Sequence, residues 1–248
     1  MLKVIRAGWL LLLALVALPA WASELQLLTE EAPPTSFLRD GTPDGYSVEV
    51  VRELIRRTDS AAHIELLPWT RAYHLAKQQA DTGLFSVVRT AEREALFQWV
   101  GPILRGTTRF YSLKSSNLHI DSLEDAAKSG TLALPKQWYS YETLRQLGFD
   151  NLYGVPSPRQ MVTMLKHGRV KLIATEDLTL REELASGGLT PEEVQSHLSF
   201  MQSDYYIAFS PQTSGEVVER WRHALAGMRR DGSLERIFQK WLPDATLP

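Results

Sequence analysis

Short runs of β-branched and aliphatic residues alternate along this chain with amphipathic stretches of helical period, and this constrains the fold more than any other feature. Strand, helix and strand in that order close as right-handed βαβ units, so the pattern predicts an α/β protein containing parallel strands. Leu25 to Thr29 reads as a buried strand, followed by a loop rich in Pro and Gly. Val48, Val51, Leu54 and Ile55 then recur at helical spacing, with Arg52, Glu53, Arg56 and Arg57 on the opposite face. His63 to Leu67 is a strand, Thr70 to Ala80 a helix and Thr82 to Val87 a strand.

A second block with the same grammar starts near Asp121. Asp121-Ser122-Leu123-Glu124 is read as a capping box, Thr131 to Leu134 as a strand, Tyr139 to Leu147 as a helix and Asn151 to Val155 as a strand. Ser157, Pro158 and Gln160 open a helix that turns Met161, Met164 and Leu165 inward and stops at Gly168. Val170 to Thr175 is a strand running into Glu176 and Asp177, the latter read as a helix N-cap. Asp204 to Ser210 is a strand, and two helices follow, the first capped within Thr213 to Glu216 and the pair separated by Asp231-Gly232. Two such blocks suit a two-lobed protein with a ligand cleft between the lobes.

The chain begins with an export label. Lys3 and Arg6 precede an apolar run from Gly8 to Leu18, and Pro19 leads into Ala20-Trp21-Ala22 with polar Ser23 and Glu24 beyond. This layout predicts a signal peptide over residues 1–22, cut after Ala22. The run is short of the roughly 20 residues a bilayer span needs, so a soluble periplasmic protein is expected.

Composition closes off several classes. With no cysteine, disulfide frameworks, thiolate metal sites, Cys nucleophiles and a lipoprotein anchor all fall away. A formal charge of −2 leaves no basic footprint for nucleic acid. The phosphate-cradling glycine motifs, the G-x-S-x-G elbow and H-E-x-x-H are absent, and the six histidines never fall at i, i+4. No metal, cofactor or catalytic nucleophile is expected.

The segment from Asp81 to Pro102 is the informative one. A strand ends near Ser86, and a polar turn starts a short helix carrying Arg93. Ligands bind at the C-terminal ends of strands in open α/β sheets, and an Arg there offers a fork of donors to a carboxylate. On physics alone a second reading stands beside it, in which Arg89 and Arg93 pair with Glu92 or Glu94 on a solvated face.

This segment resembles the signature of the bacterial extracellular solute-binding proteins of family 3, the polar amino-acid binding proteins of ABC importers. Four further segments carry the resemblance: Thr29 to Pro34, Asp44 to Glu49, Pro68-Trp69-Thr70-Arg71-Ala72, and Gly168 to Glu176. The ending from Asp231 to Trp241 is similar to the family's as well. The resemblance implies an α/β, bilobal, type II periplasmic-binding-protein-like fold. Lobe 1 would comprise residues 23–106 and 208–248 and lobe 2 residues 107–207, with hinge strands at 105–113 and 203–210.

It also implies a site. Arg93 falls where the family grips the ligand's carboxylate, Ser86 on a contact in the same loop, Trp69 on an aromatic wall, and Glu176 on the acid that takes an ammonium. The chain departs from the pattern at Ala32, where an aromatic is usual, and at Val88 and Lys171 in place of polar and acidic residues. Pro135 to Tyr139 replaces the second lobe's usual Gly-Ser or Gly-Thr turn, leaving Lys136 or Gln137 to substitute. The function implied is capture of an amino acid or similar small carboxylate, by a monomer, for an inner-membrane ABC permease. A sensor component for a membrane receptor and a dehydratase-type enzyme on the same fold are the alternatives.

Overall fold

The computed structural model describes residues 24–243. The expected signal peptide, residues 1–22, lies outside the described residues. Strand β1 (Leu25–Thr29) pairs in parallel with β4 (Ala62–Leu66) on one side and β5 (Thr82–Val88) on the other. Helix α1 (Tyr46–Thr58) and helix α2 (Trp69–Gln78) make the crossovers. Between β1 and α1 lies a small hairpin of β2 (Phe37–Arg39) and β3 (Thr42–Asp44), in the stretch read from sequence as loop. The second half repeats the pattern. Strands β7 (Leu132–Pro135), β8 (Leu152–Val155) and β9 (Leu172–Glu176) are parallel, and α3 (Leu123–Lys128), α4 (Tyr139–Gln146), α5 (Pro158–Lys166) and α6 (Leu180–Gly187) surround them.

Two strands join the halves. β6 (Gln98–Leu113) and β10 (Val194–Phe209) are 16 residues each and pair antiparallel from Val194↔Leu113 to Phe209↔Gln98. The result is one eight-stranded sheet in the order β4-β1-β5-β10-β6-β9-β7-β8. Two helices complete the fold, α7 (Gly215–Arg230) and α8 (Ser233–Trp241).

The period-2 alternation of the strands sorts side chains to the two faces of the sheet. Leu27, Phe85, Ile207 and Phe209 enter one core, which α1, α7 and α8 close with Leu54, Trp221 and Phe238. Their neighbours Leu28, Leu84 and Ala208 enter the core on the other face, under Ala72 and Ala76 of α2. Both faces being covered, these strands are near-continuous apolar runs, as buried parallel strands require. A separate core gathers Phe110, Leu134, Leu144, Met161 and Ile173 around β7 to β9. The fold is therefore bilobal, with β6 and β10 contributing to both lobes: Ile103 packs in the first core and Phe110 in the second.

Several local expectations are corrected. The strands expected at 105–113 and 203–210 begin earlier, at Gln98 and Val194. Pro102 inside β6, and in β10 the polar Gln195, Ser196 and His197 with the register shifts beyond Ser196, hid them. The capping box is formed by Ser122 and Asp125, one residue beyond the expected pair. The cap of α7 is Ser214, whose hydroxyl accepts from the Glu216 N–H. Asp177 is not an N-cap: its carboxylate accepts from the Thr107 N–H, and α6 starts only after Thr179. The helix expected directly after Asp177 begins at Leu180, with Thr179 in the cap position.

Trp221 is fully buried, meets Phe209 edge-to-face at 5.1 Å and donates its indole N–H to Ser60. Trp221→Ala opens a cavity in a core assembled from both ends of the chain. The expected loss in unfolding free energy is about 3–5 kcal/mol, read from urea denaturation of mutant and parent.

Candidate functional site

A cavity of about 130 Å³ opens where the C-terminal ends of β1, β5 and β9 meet the second lobe. At about 10–15 Å³ per water it has room for on the order of ten waters, the size of a single amino acid. From the first lobe it is lined by the loop after β1, by Trp69, Ser86 and Arg93; from the second by Gln137, Tyr139, Glu176 and Glu183.

The loop after β1 is pinned by the start of α1. The Tyr46 and Ser47 N–H groups donate to the Pro34 and Thr35 carbonyls at 3.1 and 2.8 Å. Gly45, with φ 117°, makes that approach possible, since a Cβ there would lie 2.6 Å from the Thr35 carbonyl oxygen. Ser86 is the extra residue of a β-bulge. In the β5–β10 pairing Val87 faces Tyr206 and Phe85 faces Ile207, leaving Ser86 without a partner. Its φ of 62° is left-handed, and its hydroxyl donates to Ser47 at 3.0 Å. The bulge thus turns a strand residue with unpaired backbone groups toward the cavity.

Arg93 is 8% exposed, sitting one residue before a short 3₁₀ turn at Glu94–Leu96. Its guanidinium lies 5.6 Å from the ring centres of Trp69 and Tyr73 and 5.8 Å from that of Tyr139. These faces orient the cation without using its N–H donors. Its one side-chain hydrogen bond among the described residues is a long one, 3.4 Å, to the Val88 carbonyl. Glu142 of the second lobe stands 3.8 Å away, too far for a hydrogen bond. The fork is therefore held from both lobes and still open to a carboxylate. The solvated reading fits Arg89 instead, which forms a double hydrogen bond with Glu94.

Glu176 ends β9 and accepts a short hydrogen bond from the Tyr205 hydroxyl. Gly106 backs it: a Cβ at that position would stand 2.5 Å from the Glu176 Oε2. Burial pushes the Glu176 carboxyl up to about 7, against the Tyr205 hydrogen bond, with Glu183 and Asp177 adding repulsion. Two further acids line the same space. Glu183 accepts from the Thr175 and Thr179 hydroxyls at 2.6 and 2.7 Å, and burial still raises it to about 7. Glu30 follows β1 directly and is raised to about 7 by burial and then by Glu183.

Five of the six residues singled out from sequence thus line one cavity: Trp69, Ser86, Arg93, Gln137 and Glu176. Gln137 also donates its side-chain amide to the Pro156 carbonyl at 3.3 Å. Lys136 falls outside the lining; it is exposed and packs over Gly154 of β8. Glu30, Thr108, Glu183 and Tyr205 were not anticipated. Glu30 sits inside a segment that the sequence reading already singled out; Thr108 and Tyr205 lie on strands whose register only the fold supplies.

The sequence profile of the bacterial extracellular solute-binding proteins, family 3, matches residues 25–244. The L-cystine-binding protein TcyA of Bacillus subtilis (strain 168) is 23% identical over 197 residues, covering 79% of this chain and 72% of TcyA. A histidine kinase sensor domain with similarity to periplasmic binding proteins superposes with a TM-score of 0.82 at 19% identity, over 91% of this chain and 98% of its own. The arginine-, lysine-, histidine-binding protein ArtJ of Geobacillus stearothermophilus gives 0.77 at 14%, over 91% and 97%. An ancestral arginine-binding protein bound to arginine gives 0.75 at 18%, over 88% and 98%. At these identities the structures share the fold.

The three raised carboxyls predict a pH dependence of the ligand-free protein. Each binds its proton more tightly folded, at about 7, than at its ordinary 4.5. Their contribution to stability is therefore full below that ordinary value and lost as pH rises through 7. Glu53, lowered to about 2 by Arg56 and Arg57, contributes no slope in this window. His197, lowered by burial, slopes the opposite way. The melting temperature is expected to fall between about pH 5 and about pH 8, and Glu30→Gln to flatten that fall, read by calorimetry across the range.

Proposed function

The chain belongs to the bacterial extracellular solute-binding proteins, family 3, and from that membership we propose that it captures an amino acid or similar small carboxylate between its lobes and delivers it to an ABC importer. The observation that carries this reading is Arg93, a buried, aromatic-caged guanidinium whose donors face a cavity of amino-acid size. The solute's carboxylate meets this fork, and its ammonium meets Glu176 on the opposite lobe. A zwitterion bridges the two because each charge is desolvated only when matched. The unpaired backbone of Ser86 and the ring of Trp69 complete the grip on the first lobe.

On this reading residues 1–22 direct export and are removed after Ala22, and the mature protein works as a monomer. Lobe 1 comprises residues 23–106 and 208–248, lobe 2 residues 107–207, and the lobes close by bending β6 and β10. Family membership favours delivery over sensing, since the fold itself is shared with a kinase sensor domain. The relatives' names point the same way: one binds cystine, another arginine, lysine and histidine. No helix among the described residues is long and apolar enough to cross a membrane.

The test is a thermal-shift panel on mature protein stripped of carried-over ligand by unfolding and refolding. A ligand at a hundred times its dissociation constant adds about 2.7 kcal/mol, a rise of several degrees at about 2–4 °C per kcal/mol. At least one amino acid is expected to give it, and no response from any small carboxylate would overturn the reading. Arg93→Ala is expected to weaken binding by about 2–5 kcal/mol without loss of folding. Glu176→Gln is expected to weaken ammonium-bearing ligands more than ammonium-free ones.

A further inference from the structure

The cleft holds more negative charge than a zwitterion uses. Arg93 answers one carboxylate and Glu176 one ammonium, and Arg93 is the cationic side chain of the lining. Glu30 and Glu183 are left over. They belong to opposite lobes: Glu30 follows β1, whose leucines pack in the first lobe, and Glu183 sits on α6, whose Leu184 packs in the second. Two carboxylates approaching across a closing, low-dielectric cleft repel each other. A cation standing between them turns that repulsion into attraction.

Glu183 is built for a ligand rather than left by chance. Thr175 and Thr179 each donate to a different oxygen of its carboxylate, fixing its orientation and leaving further lone pairs on both. The Glu30 carboxylate has neither hydrogen bond nor ion pair among the described residues. Independent of both is Thr108. It is 1% exposed, lines the same cavity opposite Glu176 in the β6–β9 register, and its Oγ1 has no partner. Buried hydroxyls in native proteins are almost always partnered, so an orphan in a cavity wall marks where a ligand's polar group arrives. Among the described residues no three His, Cys, Asp or Glu side chains converge as a metal ion requires.

We propose that Glu30 and Glu183 form a cation-accepting subsite between the lobes, with Thr108 as its hydroxyl contact, and that the solute is a basic amino acid or close analogue carrying a second cationic group. This rests on the reading of the cleft as an amino-acid site. The second cation has a role beyond recognition, since it is the group that lets the two acidic walls meet. Neutral amino acids leave both carboxylates facing each other and close the cleft poorly.

Isothermal titration of refolded mature protein with two matched pairs tests this. L-arginine and L-citrulline differ in a guanidinium against a neutral ureido group; L-lysine and L-norleucine differ in an ammonium against a methyl. At least one cationic member is expected to bind about tenfold or more tightly than its neutral counterpart, equivalent to about 1.4 kcal/mol. Glu30→Gln and Glu183→Gln are each expected to bring that ratio toward one, with thermal unfolding checking that each variant folds; Glu30→Gln removes no hydrogen bond and carries the test if Glu183→Gln is unstable. Equal or tighter binding of both neutral members by the parent protein overturns the subsite while leaving the amino-acid reading intact. A ratio that survives both substitutions overturns the assignment to Glu30 and Glu183. Failure of all amino acids to bind removes the broader reading, and the subsite falls with it.

Discussion

The antiparallel pairing of Gln98–Leu113 with Val194–Phe209 fixes where everything else in the molecule sits. These strands are the middle of the sheet, so the parallel strands of the two lobes can be added only on their outer edges. The ladder is regular from Met201 to Tyr205 and interrupted on either side of that stretch, between Ser196 and Ser199, between Ser199 and Met201, and between Tyr205 and Ile207. Bulges increase local twist and weaken pairing. The interruptions flank the paired stretch whose Leu104, Met201 and Tyr205 line the cavity, and the proposed closure would bend the sheet there.

The cavity's electrostatics follow from that placement. Charged groups buried where a sheet meets a second lobe lose hydration before they gain partners, and the three glutamates show it by holding their protons to about 7. Around Arg93, aromatic faces from both lobes replace water about a delocalised cation. On the proposed reading, a bound cation offsets the crowded carboxyls without displacing the aromatic faces around Arg93.

Much of this was legible in the sequence. Parallel strands, helix positions and the turn carrying Arg93 follow from apolar period and from Gly, Pro and Ser punctuation, and they hold to within a residue or two. What escaped has a common physical cause. The first half of β10 places Val194, Leu198 and Phe200 on the second core, but the polar residues between them and the register shifts from Ser196 to Met201 leave too weak a period to mark it. Helix α6 buries only Leu184, so its apolar pattern could not show that it starts at Leu180 rather than beside Asp177. Glu30, Thr108 and Glu183 come from three segments far apart in the chain, and their convergence is a property of topology, not of spacing. Lys136 fails for the complementary reason: its turn is where the sequence placed it, but the side chain leaves on the outer side, over Gly154.

The two cores differ in how the chain supplies them. The second draws its residues from one continuous stretch, Phe110 to Val194. The first needs Leu27, Val51 and Phe85 from the start and Trp221, Leu225 and Phe238 from the end. For a polypeptide that emerges vectorially from its N-terminus, the inner core can close while the outer one still gapes. Its earliest apolar residues wait, uncovered, for the last helices to arrive. Such long-range contacts slow folding, so the window of vulnerability to sticking and to proteases belongs to the segment made first, and its length is set by how quickly the final turns are delivered.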